Sequence, residues 1–306
     1  MPKKLLLIIN PVSGMRLGAI YTPKIVSTLS DGGYDVFLMM TTKRGDAKIW
    51  AETYGKDFDL IVACGGDGTF NEVVSGNLFG ANKPLGYIPC GSTNDFAVSI
   101  GLSGDIPTAA QNIAKGSESV FDAGSFGGRP FTYVASFGAF TRTSYTTSQS
   151  FKNIVGHLAY IVEGGLDLKN LKPEYVSFEA NGELYEGNYI FGAVSNSTSL
   201  GGILTISSEV VDMNDGRFEV MLIKYPENAQ QLSKIVQAVL SKQYSECELI
   251  EFFSCEKLTV LKNPSGGWSL DGEFEEGADG VLIENKNSAI RLMIKMVQEY
   301  RTLFLN

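Results

Sequence analysis

Histidine is nearly absent from this chain: among 306 residues there is one, His157. That leaves almost no room for a histidine-centred metal site, and a Ser/His/Asp triad would need His157 itself as its base. The four cysteines, Cys64, Cys90, Cys247 and Cys255, form no Cys-x-x-Cys pair, so neither a zinc ribbon nor a disulfide framework is expected. They read as reduced thiols of a cytoplasmic protein. Positive charge is also in short supply. Lys and Arg total 25 against 34 Asp and Glu, a net charge of −9, the wrong sign for a protein that binds a nucleic acid duplex. No apolar run reaches transmembrane length, and the run Leu5 to Ile9, stopped by Asn10-Pro11, is too short for a signal peptide. Any membrane contact is therefore expected to be peripheral. The glycine fingerprint of dinucleotide folds is missing, and no glycine loop ends in Gly-Lys-Ser or Gly-Lys-Thr.

What is present is enough apolar sequence, 44% of residues with 19% charged, to bury a large core, in a chain long enough for about two domains. The first part alternates strand and helix signals. Leu5 to Ile9, Asp35 to Met40, Leu60 to Cys64 and Leu85 to Ile88 read as strands. Helices are expected around Ile25-Val26-Leu29, ending at Asp31-Gly32-Gly33, and around Ala47-Trp50-Ala51 with Asp46 as N-cap. Another starts near Pro107 and closes at Gly116. Such alternation predicts an α/β domain with a parallel sheet over residues 1–122. From Phe121 short strands and turns dominate, and a mostly antiparallel β-sandwich is expected over 123–289. Within it Tyr175 to Val194 reads as a hairpin about Asn181-Gly182, and Phe218 to Leu222 as a half-buried strand. Helical insertions are expected over 152–168 and around Leu232, Ile235, Val236, Val239 and Leu240. The segment 290–306 is expected to return to the first domain.

Three loops follow predicted strands and precede helices, where ligands bind in open α/β sheets. They are Asn10-Pro11-Val12-Ser13-Gly14, then Gly65-Gly66-Asp67-Gly68-Thr69-Phe70-Asn71-Glu72, then Pro89-Cys90-Gly91-Ser92-Thr93-Asn94-Asp95-Phe96-Ala97. Glycine lets a backbone approach closely, and free N–H groups at a helix start attract anions. One such loop is as readily an ordinary capped turn; three on successive strands favour a ligand. A carboxylate inside a phosphate loop repels its ligand unless a cation intervenes, so Asp67 implies Mg²⁺, directly or through its waters; otherwise it caps the helix that follows. Leu270-Asp271-Gly272-Glu273 sets two carboxylates side by side, suited to base chemistry or to an exposed Asp-Gly turn.

The glycine-aspartate loop with Asn71-Glu72, the Asn-Pro-x-Ser-Gly opening, the Gly91 to Ala97 segment and Leu270 to Glu273, in this order, resemble the diacylglycerol kinase catalytic domain family. The resemblance covers nearly the whole chain. It implies an ATP- and Mg²⁺-dependent kinase for a lipid hydroxyl, most simply diacylglycerol reached at the membrane interface. Asn10 to Gly14, Thr41 and Gly65 to Asn71, with Ser92 and Thr93, would surround ATP. Glu273 would be the general base, with Asp271 and Asp67 beside it in catalysis. Asp212, Asp215 and Arg217 would hold a structural Mg²⁺. Met15 and Val98 stand where the family commonly carries basic residues. The alternatives are an NAD kinase-like enzyme acting on a soluble nucleotide and a catalytically silent nucleotide- or lipid-sensing regulator. A homodimer is left open.

Overall fold

The computed structural model describes residues 2–138, 171–196, 199–200, 204–205 and 213–295. The chain divides into two compact units, 1–123 with 287–306, and 124–286.

In the first unit β1 (Lys3–Ile9) carries the apolar run Leu5 to Ile9, and all five side chains are buried, as a strand covered on both faces requires. It pairs in parallel with β2 (Tyr34–Met40) on one side and β3 (Leu60–Gly65) on the other, and β3 pairs in parallel with β4 (Leu85–Pro89). The order β2-β1-β3-β4 puts a topological switch between β1 and β3, where a doubly wound sheet opens a crevice at its carboxyl end. One face buries Leu5, Leu7, Leu60 and Val62 against Ile25 and Leu29 of α1 (Leu17–Asp31). The other helices are α2 (Asp46–Tyr54), α3 (Asp67–Gly76), the short α4 (Asp95–Ser99) and α5 (Ile106–Lys115), whose Ile106, Ala109, Ala110 and Ile113 join the same core. Asp105 caps α5 by accepting from the Thr108 N–H at 3.0 Å, with Pro107 in the first turn as expected.

Asp46 differs from expectation. The N-cap of α2 is Gly45, at φ 88°, and Asp46 is the first helical residue. Its carboxylate reaches back to accept from the N–H of Thr42 at 2.8 Å, the Thr42 hydroxyl at 2.9 Å and the N–H of Lys43 at 3.0 Å. These bonds, the Thr42 N–H foremost, hold its carboxyl below the ordinary carboxylate range.

The second unit is mostly antiparallel. β5 (Ser117–Phe126) turns through Gly127-Gly128, at φ 55° and 91°, into β6 (Arg129–Phe131). β7 (Val134–Gly138), β8 (Glu174–Ala180) and β9 (Glu183–Ser195) follow, with β8 and β9 joined at Asn181-Gly182, φ 54° and 79°, a type I′ hairpin as predicted. β10 (Ser199–Leu200) and β11 (Leu204–Thr205) pair with each other. Then come β12 (Phe218–Lys224), α6 (Ala229–Ser241), β13 (Ile250–Cys255), β14 (Lys257–Lys262), β15 (Trp268–Leu270), β16 (Glu273–Glu275) and β17 (Val281–Ile294). β9 ties the unit together, pairing with β8 along Glu183 to Tyr189, with β7 along Phe191 to Ser195 and with β12 along Tyr189 to Ser195. Trp268 is fully buried, its ring 5.1 Å from those of both Phe126 and Phe137. Gly192 is dictated by this packing, since a Cβ there would lie 2.0 Å from the Phe137 ring.

β12 is not the half-buried strand that its alternation suggests. Phe218 to Ile223 are all buried, Glu219 included: β9 and β13 occupy the strand's two edges, and the burial of successive side chains shows that both of its faces are covered. α6 buries Leu232, Ile235, Val236 and Val239, while Leu240 of the same helix is 66% exposed. The helix expected over 152–168, with His157, lies outside the described residues. β17 ends in the first unit, where Leu292 pairs in parallel with Leu85. No helix among the described residues is long and apolar enough to cross a membrane.

Candidate functional site

The three sequence-predicted loops meet at the carboxyl ends of β1, β3 and β4. Asn10 leaves β1 with its N–H on the Cys64 carbonyl at 2.9 Å, accepts from the Val12 N–H at 3.2 Å, and donates from Nδ2 to the Thr69 hydroxyl at 3.1 Å. One side chain thus orders the first loop and ties it to α3 across the switch point. Gly14 has φ 53°, and a Cβ there would sit 2.3 Å from the Cys90 carbonyl oxygen. A Cβ on Gly91 would lie 2.5 Å from the Gly66 Cα, and one on Gly66 3.5 Å from the Ser13 Oγ. The loops therefore meet closely, and at Gly14 and Gly91 the distances to a neighbouring loop's backbone admit only glycine. Gly65 is equally constrained, by Thr69 at 2.5 Å. Gly68 is different: a Cβ there would meet nothing within 4 Å, so open space stands over the first turn of α3. This is the geometry of an anion cradle, with N–H groups at a helix start and room for a ligand before them.

The remaining members of the set surround this centre. Ser92 and Thr93 are exposed, and Pro11 is partly so. Thr41 directly follows β2, with its N–H on the Ile9 carbonyl at 2.8 Å. The loop after it is held by Glu72 of α3, which accepts from the Gly45 N–H at 2.8 Å. Val12, Met15 and Val98 are 68%, 78% and 66% exposed. Phe70 is buried and stacks on Tyr87 at 4.4 Å and on Phe96 at 4.8 Å.

Asp67 caps a helix, but not its own. Its carboxylate accepts from the N–H groups of Asp95 at 3.0 Å and Phe96 at 3.3 Å, at the start of α4, and from the Thr93 hydroxyl at 3.4 Å. It thereby fixes the third loop from the second. Burial, and then the negative charge of Asp67, push the Tyr87 hydroxyl far up, so Tyr87 stays neutral beneath the carboxylate. Asn94, at φ 54°, completes the third loop by accepting from the Gly91 N–H at 2.8 Å.

In the second unit Asp271 and Gly272, at φ 49° and 85°, form the two-residue turn between β15 and β16. The turn reading of this motif holds, but Asp271 is not exposed. Its carboxylate is buried and accepts from the Thr132 N–H at 2.5 Å, the Thr132 hydroxyl at 2.8 Å, and the N–H groups of Tyr133 and Val134 at 3.0 Å each. Burial pushes its carboxyl above the ordinary range, against the opposing pull of those bonds. Glu273 opens β16, half-buried, with Oε2 2.9 Å from Nη2 of Arg129. Arg129 was missed by sequence reasoning. It follows the Gly127-Gly128 turn, but nothing local connects it with a carboxylate 144 residues away.

Of the expected metal loop, Asp212 lies outside the described residues. Asp215 accepts from the Arg217 N–H at 2.9 Å, and the Arg217 carbonyl accepts from Asn285 Nδ2 at 3.0 Å. Among the described residues no group of three or more His, Cys, Asp or Glu is placed to hold a metal ion.

Residues 4–126 match the family model of the diacylglycerol kinase catalytic domain. A diacylglycerol kinase of Bacillus subtilis (strain 168) is 32% identical over 275 residues, 89% of this chain and 90% of its own length. One of Staphylococcus epidermidis is 29% identical over 90% of this chain and 87% of its own. Two solved structures from Bacillus anthracis str. Sterne, one of them described as a diacylglycerol kinase, superpose with TM-scores of 0.79 and 0.73 at 24% and 22% identity, each over 96% of this chain and over 96% and 97% of theirs. With the glycine cradle at the switch point and the carboxylate hairpin of the second unit, these likenesses establish the chain as a lipid kinase of the diacylglycerol kinase family.

Proposed function

We propose that the chain transfers the γ-phosphoryl group of ATP to the free hydroxyl of diacylglycerol, with Mg²⁺, giving phosphatidic acid. The observation that carries this reading is the backbone meeting of the loops at Gly14, Gly66 and Gly91 beneath the open space over Gly68. Phosphoryl transfer asks little covalent chemistry of a protein; it asks for positioned phosphates, neutralised charge and a base for the incoming hydroxyl. In this reading the N–H groups at the start of α3 and the hydroxyls of Ser13, Ser92 and Thr93 bind phosphate, while Asn10 to Gly14, Thr41 and Gly65 to Asn71 surround the nucleotide. Asp67 keeps the third loop in register with the second. Bound with the nucleotide, Mg²⁺ would neutralise phosphate charge, and Asp67 would meet it through water, since its oxygens already serve α4 and Thr93. Glu273 accepts the proton of the lipid hydroxyl, and Asp271 contributes by fixing the turn that presents it. Asp215 and Arg217, with Asp212, remain the proposed seat of a structural Mg²⁺.

The acceptor is embedded in lipid, and with a net charge of −9 the whole molecule has little attraction for an anionic bilayer. Contact is then local and peripheral. The segments that the sequence suggests for it, near Lys152 and from Phe131 to Tyr145, fall largely outside the described residues. Incubation with labelled ATP and Mg²⁺, first with diacylglycerol micelles and then with NAD, tests the assignment. Label in the lipid is expected; label in NAD alone, or in neither, contradicts it.

A further inference from the structure

Arg129 and Glu273 occupy equivalent places in two hairpins: each is the first residue after a two-residue turn with positive φ, Gly127-Gly128 in one and Asp271-Gly272 in the other. Such turns fix the backbone register of the residues that follow. The hairpins are fastened together by the Asp271 carboxylate, which accepts from Thr132, Tyr133 and Val134, the segment directly after β6. Arg129 lies on β6, so Asp271 holds the backbone that carries Arg129 against the turn that leads into β16.

Along β16 Glu273 and Glu275 project from the same face, because side chains alternate along a strand. Two carboxylates on one face repel. Arg129 stands between them, with Nη2 2.9 Å from Glu273 Oε2, Nη1 2.6 Å from Glu275 Oε2 and Nη1 3.2 Å from the Phe274 carbonyl. A planar guanidinium can engage these three acceptors at once; an ammonium, as a point charge, cannot match that fork. Arg129 meets Glu273 at Oε2.

We propose that Arg129 is the positioning residue of Glu273: it cancels the repulsion from Glu275 and fixes the rotamer in which Glu273 takes a proton. The inference rests on the reading of Glu273 as general base. Both ion pairs are half-exposed, with Arg129 at 36%, Glu273 at 26% and Glu275 at 29%, so their share in stability is small. A structural role and a positioning role therefore predict different results.

The test measures kcat, KM for ATP and Tm for Arg129→Ala, Arg129→Lys, Glu273→Gln and the double variant Arg129→Ala/Glu273→Gln, with ATP and diacylglycerol micelles. Misplacing a reacting group by about 1 Å costs roughly a hundredfold in rate. Arg129→Ala is expected to lower kcat by about ten- to a hundredfold, with KM for ATP and Tm close to wild type. Arg129→Lys should recover part of that loss. In the Glu273→Gln background, removing Arg129 should cost nothing further, because the group that it positions is gone. Wild-type kcat in Arg129→Ala, or an equal loss with and without Glu273, overturns the inference. If Arg129→Ala does not fold, the Lys variant decides: a folded protein with reduced kcat and unchanged KM for ATP supports it, and one at wild-type kcat overturns it. A Glu273→Gln protein at wild-type kcat would instead remove the general-base reading itself.

Discussion

At the ends of β1, β3 and β4, positions are set by what is missing: a Cβ at Gly14 or Gly91 would fall 2.3 or 2.5 Å from a neighbouring loop's backbone. In the hairpin of the second unit, positions are set by what is added: a buried carboxylate gathers four donors, and a guanidinium bridges two further carboxylates. The first arrangement is close main-chain packing, tied by Asn10 and Asp67, with no room for a side chain at Gly14 or Gly91. The second is made of side chains and depends on residues far apart in sequence. In the reading given above, the first holds a substrate rich in charge and the second handles one proton, which suits many fixed N–H groups in one place and a single aimed carboxylate in the other.

The largest departure from this division is expected at Asp67, whose carboxylate joins the second loop to the third. Asp67→Ala removes the acceptor for the start of α4, at a cost of about 1 kcal/mol as for other lost caps. Phosphate positioning is lost with it, and a fall in kcat/KM for ATP of about three orders of magnitude is expected from steady-state kinetics. Near-normal turnover would take Asp67 out of the mechanism, and global unfolding would make its role structural.

Next come two glycines that should behave oppositely. Gly14→Ala forces a Cβ against the Cys90 carbonyl at positive φ, and urea unfolding should show a loss of about 1–3 kcal/mol with a raised KM for ATP. Gly68→Ala meets open space in a helix, so stability should rise by roughly 0.5–1 kcal/mol while KM for ATP still rises. A Gly68→Ala protein with unchanged KM would remove the ligand from the space over α3. The smallest effect is expected far from either arrangement. Asn228 caps α6 through the Gln231 N–H at 2.9 Å, and Asn228→Ala should cost about 1 kcal/mol in denaturant unfolding with kcat unchanged.

The two regions also differ in how far sequence reveals them. The parallel strands announce themselves as unbroken apolar runs such as Leu5 to Ile9, and the glycine loops lie within a few residues of those runs. The hairpin at Asn181-Gly182 is legible for the same local reason. β6, β15 and β16 span three residues each, too short for any periodicity to register, and α4 spans five. The partners that matter most are remote: Asp67 meets Asp95 at a separation of 28 residues and Arg129 meets Glu273 at 144. Asp46 shows the same limit over a short range, for an acidic residue at a helix start can turn its carboxylate to the preceding loop instead of capping the helix. β12 shows it for burial, since alternation along Phe218 to Leu222 carries no trace of what covers the face bearing Glu219.

The division of labour between the two regions is tested most directly by Glu273→Gln, which keeps the size of the side chain and removes its basicity. Steady-state turnover with diacylglycerol micelles, measured beside equilibrium binding of ATP, should show kcat reduced by about two to four orders of magnitude and ATP affinity unchanged. Retained kcat, or lost ATP binding, would contradict the account.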